Sequence, residues 1–147
     1  MKTMTMKFTA AAMIASSLLF ACKKEKSSPA TCEISVAGLS GSYKLTALQY
    51  RESTTAAPVD YLAYLEDCEK DDIMELKNDG TYTYHDAGTV CESSATDHGT
   101  WQVKGNTLTS DGKLQGTIAS YDCKTLVYYV ENALHTGDRL TYTMVKQ

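Results

Sequence analysis

Five cysteines, three histidines and one dense run of acids are the residues of this 147-residue chain whose types could do chemistry. Cys22, Cys32, Cys68, Cys91 and Cys123 could act as thiolate nucleophiles, metal ligands or disulfide partners. A zinc knuckle needs cysteines a few residues apart, and no pair here has that spacing. His85, His98 and His135 fall in no His-x-His or His-Glu-x-x-His pattern and read as strand-end or loop residues, so neither metal nor cofactor is expected. Glu66, Asp67, Glu69, Asp71 and Asp72 supply paired carboxylates, yet nothing beside them marks a cleft or a raised pKa for acid-base work. A solvated face is the plainer reading of that run. Calcium would need more alternating oxygens than Asn78-Asp79-Gly80 or Ser110-Asp111-Gly112 offers. The stretch from Ala37 to Tyr43 is not a Gly-x-Ser-x-Gly nucleophile elbow. The expectation is a protein that is not an enzyme.

Cys22 stands apart from the other four. Lys2 and Lys7 precede an uncharged run from Phe8 to Ala21, the layout of a secretory signal peptide with its basic start, short apolar centre and small residue at the cut. That run is too short to cross a bilayer, which takes about 20 apolar residues. Leu19-Phe20-Ala21-Cys22 resembles the lipobox of bacterial lipoproteins, with Phe20 bulkier than the residue usual before the alanine. The resemblance implies cleavage after residue 21 and a lipid-modified, palmitate-bearing Cys22 at the mature N-terminus. Acyl chains, each methylene worth about 0.8 kcal/mol when buried, would hold the protein on a membrane, with Lys23, Lys24 and Lys26 near the headgroups. Removing residues 1–21 takes two lysines and no acid, which leaves 12 basic against 18 acidic residues, a formal charge of −6. Nucleic acid is therefore not an expected partner.

With Cys22 lipidated, the remaining four cysteines are an even set in an oxidising compartment, compatible with three connectivities. Cys68 and Cys91 flank a hairpin that would bring them together, which favours that pair and by default Cys32 with Cys123.

The elements that carry these residues follow from pattern. Residues 22–38 are Lys, Ser, Pro and small residues, with too little apolar surface to order themselves, and read as a tether. From residue 39 to 147, β-branched and aromatic residues alternate with polar ones at the period of half-buried strands. Residues 42–50 form the first. In the following stretch Tyr61, Leu62, Tyr64 and Leu65 recur at helical spacing after Asp60, which predicts one short helix or a lid. Two hairpins follow, turning at Asn78-Asp79-Gly80 and at Gly105-Asn106, then three strands over 113–120, 124–132 and 139–146. About eight antiparallel strands with tight turns predict an all-β barrel or sandwich. Alternation places Tyr43, Leu45, Tyr82, Tyr84, Trp101, Val103, Leu140, Tyr142 and Met144 inward. Residues 125–130 are apolar on both faces and should be covered outside as well, with the helix as candidate cover.

Three segments together, Leu39 to Leu48, Cys68 to Cys91 and Gly99 to Thr109, are similar to the lipocalin-like domains of exported bacterial lipoproteins. Cys68 with Asp71 and Asp72, the turn from Asn78 to Thr81, Cys91, and Gly99-Thr100-Trp101 stand in the family's order, and Tyr43 occupies a position usually held by Trp. The resemblance spans residues 39–147. It implies an up-and-down barrel of about eight strands, filled by side chains or holding one small ligand, and it implies no catalytic residue.

Two functions remain in play. One is a membrane-anchored module that binds a small hydrophobic or amphipathic molecule, with Tyr82, Tyr84, Trp101 and Tyr142 as the residues expected to meet it. The other is a structural or protein-interaction barrel of the cell envelope, solid inside and in contact through the acidic run and the loop from His85 to Gly99. Either is expected as a monomer on the outer membrane. The basic residues after Cys22 favour the periplasmic face over the cell surface.

Overall fold

The computed structural model describes residues 32–91 and 97–147; the leader, Cys22 and most of the expected tether lie outside these residues. Among the described residues nine strands run in one antiparallel sheet: β1 (Gly41–Arg51), β2 (Val59–Asp60), β3 (Ile73–Leu76), β4 (Thr81–His85), β5 (Asp97–Lys104), β6 (Thr107–Ser110), β7 (Leu114–Tyr121), β8 (Thr125–Glu131) and β9 (Arg139–Lys146). Strands β3 to β9 pair in sequence order, and β9 returns to pair with β1 along almost its full length. That pairing closes an eight-stranded up-and-down barrel. The two-residue β2 is an extra strand on the far end of β1, where Tyr50 faces Val59. Closure removes the free edges on which a sheet would otherwise recruit another chain.

Local chemistry sets the turns. Gly105, at φ +58°, opens the two-residue connection that brings Lys104 opposite Thr107, a conformation a residue with Cβ rarely adopts. In the β3–β4 turn the Asp79 carboxylate accepts from the Thr81 amide (2.9 Å) and hydroxyl (2.6 Å). Two register shifts, between Leu45 and Ala47 on β1 and between Ile118 and Ser120 on β7, each insert a residue and exchange the inward parity of the strand. Thus Tyr43 and Leu48 are both buried although they stand five positions apart, an odd offset.

One end of the barrel is plugged. Helix α1 (Val36–Leu39) is capped by Ser35, whose hydroxyl accepts from the Gly38 amide (3.1 Å), and it drives Leu39 into full burial. The Tyr43 hydroxyl donates to the Leu39 carbonyl (2.7 Å). Lys146 leans over the rings of Tyr43 and Tyr121, and its ammonium donates to the Gly38 carbonyl (3.0 Å) and the Tyr121 hydroxyl (2.8 Å). A disulfide joins Cys32 to Cys123 in the β7–β8 turn. The fold therefore begins earlier than composition predicts. Residues 32–38 are not free tether, because Ile34 and Val36 pack against the core cluster of Leu39, Tyr43, Leu76, Trp101, Ile118, Leu126 and Met144.

Two further expectations change. The single helix expected after β1 is split: a 3-10 turn spans Leu62–Tyr64 and a separate helix α2 spans Asp67–Lys70. Leu65 is extended between them (ψ 149°), and Glu66 starts the second piece through a capping box with Glu69. The outer face of β8 is covered by a side chain and not by that helix: the Arg139 guanidinium lies 4.0 Å from the centre of the Tyr129 ring and pairs with Glu131. Among the described residues no helix is long and apolar enough to cross a membrane.

Candidate functional site

The barrel is not filled. Inward positions near the plug are sealed, with Leu39, Tyr43 and Leu126 at 0% exposure, whereas the inward Tyr82, Tyr84, Tyr128 and Tyr142 are only partly buried. The surface they keep borders an internal cavity of about 350 Å³. Topology gives it direction. The plug lies where β1 begins and β9 ends, so the mouth lies at the other end, among the β4–β5 segment, the β6–β7 turn and the β8–β9 loop.

All four side chains expected to meet a ligand converge here: Tyr82, Tyr84, Trp101 and Tyr142 line the cavity. Strand β4 contributes two of them at alternate positions, and β5 and β9 bring one each. Trp101 is 4% exposed, and its indole N–H donates to the Lys77 carbonyl (3.0 Å), which satisfies the one polar atom of the ring. The Tyr82 hydroxyl donates to Asp111 (2.9 Å), and the same carboxylate accepts from the Thr100 amide (2.8 Å). The Thr100 amide and the Tyr82 hydroxyl hold the Asp111 carboxyl below the ordinary value. Burial raises the Tyr84 hydroxyl to about 12, with the charge of Asp72 adding to it.

Sequence reasoning missed other wall residues. Met74, Leu76, Leu108 and Val130 supply apolar surface, and Tyr128 stacks on Tyr142 with ring centres 4.7 Å apart and planes 4° from parallel. Burial raises the pKa of both hydroxyls, and neither has a hydrogen-bond partner among the described residues. Gly116 completes the wall. A Cβ there would stand 2.9 Å from the Tyr128 ring, so the absent side chain gives the stack its place. Met74, Tyr84, Tyr128 and Tyr142 also border a second space of about 100 Å³ towards Tyr43, so they form the partition between two chambers. Tyr128 was legible in principle, as the inward residue of a strand apolar on both faces.

The acidic run is partly structural. Asp72 is buried (8% exposed) and accepts from the Ala87 amide (3.2 Å), Asp71 accepts from Thr89 (3.0 Å), and Asp86 accepts from Cys91 (3.2 Å). The bonds to Asp72 and Asp71 fasten the segment after β4 to the turn before β3, and the bond to Asp86 folds that segment on itself. The second disulfide, Cys68 with Cys91, bonds the same two segments covalently. Both expected cysteine pairs are therefore present. Among the described residues the one grouping of possible metal ligands is Glu66, Cys68 and Cys91, and its two sulfurs are bonded to each other.

None of the curated proteins matches the chain. A family model described as a lipocalin-like domain matches residues 39–142, from the buried leucine of the plug to the stacked tyrosine of β9. That match covers most of the closed eight-stranded meander and every residue that lines the larger cavity, and the chain belongs to the lipocalin-like domain family.

Proposed function

We propose that this protein is a lipid-anchored envelope lipoprotein whose barrel binds one small, mostly apolar molecule. The observation that carries the reading is the cavity of about 350 Å³ bounded by Trp101, four tyrosines and aliphatic side chains. That volume is at the low end of ligand pockets, and at about 30 Å³ per water-sized group it holds roughly a dozen non-hydrogen atoms. The anchor rests on the sequence around Cys22, and the oxidising compartment it implies agrees with the two disulfides. The reading contains no catalytic step. Native mass spectrometry of protein purified from its own cells tests it: a retained small molecule supports it. A protein that carries nothing beyond its polypeptide and the covalent lipid on Cys22, and that also leaves Trp101 fluorescence unchanged with every amphiphile tried, would sink it.

A second reading is favoured by the rim. Val59, Tyr64, Val90, Leu114 and Leu134 are the large apolar side chains left exposed among the described residues, and all five stand on segments at the mouth end. Tyr50, Tyr61 and Tyr64 continue that surface as a chain of rings with centres about 5.5 Å apart. A protein partner could cover them, and the barrel would then be an interaction module. Tyr64→Ser with Leu134→Ser separates the two readings, since it should leave small-molecule binding intact and abolish a partner contact.

A further inference from the structure

The cavity is apolar, but its charge is one-sided. Asp97 lines it at the mouth, Asp72 lines the smaller chamber, and Asp111 stands beside the larger one on the Tyr82 hydroxyl. Among the described residues no lysine, arginine or histidine lines either chamber. Lys146, which stands over the Tyr43 ring, has its ammonium committed to Gly38 and Tyr121. A carboxylate entering this barrel would leave water, meet carboxylates of its own sign and find no counter-charge.

An ammonium meets the opposite conditions. Indole and phenol rings present negative π faces to a cation, and Trp101, Tyr82, Tyr84, Tyr128 and Tyr142 surround the space. The unpartnered hydroxyls of Tyr128 and Tyr142 stay neutral and can accept N–H bonds. Asp97 is exposed, so an ammonium beside it keeps part of its water while an alkyl or aryl group fills the space between Leu76, Leu108 and Val130.

Building on the ligand-binding reading above, we infer that the barrel selects a cationic amphiphile, an apolar group of about ten carbons bearing an ammonium, over the carboxylate of a fatty acid. The test uses three probes of one length, decylammonium, decanol and decanoate, titrated below their micelle concentrations at neutral pH against Trp101 fluorescence. Calorimetry gives each Kd independently of the fluorophore. Decylammonium should bind at least tenfold more tightly than decanoate, with decanol between them. Asp97→Asn should narrow that gap severalfold and leave decanol affinity unchanged, which also shows that the variant is folded. Decanoate binding as tightly as decylammonium would overturn the charge selection while leaving a ligand-binding barrel. If none of the three binds, the ligand reading falls, and the selection with it.

Discussion

Trp101 belongs to two environments at once, with one face in the buried cluster and another on the cavity, and this decides what its loss costs. Trp101→Ala should destabilise the domain by about 3 kcal/mol, the low end of the range for large aromatics, because part of the space it vacates is already open. Denaturant unfolding measures this, and Trp101→Phe should recover most of the loss except the bond to Lys77. Asp138 offers a different test. It is wholly buried, and its two oxygens accept from the amides of Ala133 (2.6 Å), Leu134 (3.0 Å) and His135 (2.9 Å) in the β8–β9 loop. Burial opposes its charge, but those amides and His135 outweigh burial and hold the carboxyl below the ordinary value. A carboxyl with a depressed folded pKa stabilises the fold above its unfolded value of about 3.9 and loses that contribution as pH falls through the folded one. Asp79, Asp111 and Asp122 shift the same way. The denaturation midpoint should therefore drop between pH 6 and pH 3. Asp138→Asn should lower the midpoint at pH 6 and make the drop shallower.

The two disulfides tie different elements, and their removal should separate. Cys32–Cys123 spans 91 residues and Cys68–Cys91 spans 23. In the chain-entropy model these close loops worth about 4.6 and 3.4 kcal/mol. Replacing the first pair by serines should cost more in a denaturant melt and should speed amide exchange in α1. Replacing the second should loosen the segment after β4 and leave α1 protected. Sequence made the strands legible because each is a short run whose alternation matches the pleat, as in Tyr82 with Tyr84 or Leu140, Tyr142 and Met144. It did not show the bulges, because no residue type marks the extra position between Leu45 and Ala47 that turns Leu48 and not Ala47 inward. The plug was hidden for a related reason. Ile34, Val36 and Leu39 are too few and too widely spread among small residues to signal a helix of one turn, and what holds them against the barrel is mostly distant in sequence: the Cys32–Cys123 bond and the hydrogen bonds from Tyr43, Tyr121 and Lys146. The four expected cavity residues follow from parity alone, whereas the emptiness between them depends on Gly116 and on how the Tyr128 and Tyr142 rings stack.

For the whole molecule, the polarity of the barrel matters most: plug and Cys32 at one end, mouth at the other. If Cys22 bears the anchor, Cys22→Ser should leave the protein in the aqueous phase of a detergent partition with its leader uncut or cut elsewhere. A processed mutant that still follows the detergent would remove the anchor. The same polarity decides how the domain bears mechanical load. A pull arriving along the chain before Cys32 reaches a covalent branch point, from which part of it passes directly to Cys123 and so into β7 and β8. Strands β7 and β8 hold their neighbours by hydrogen bonds along both edges, so the force meets many bonds in parallel. Without the disulfide the whole pull would run through residues 33–40, strip α1 from the end of the barrel and then load β1 alone from Gly41. Oxidised, this domain should resist tension as a closed staved cylinder; reduced, it should unzip from its plug.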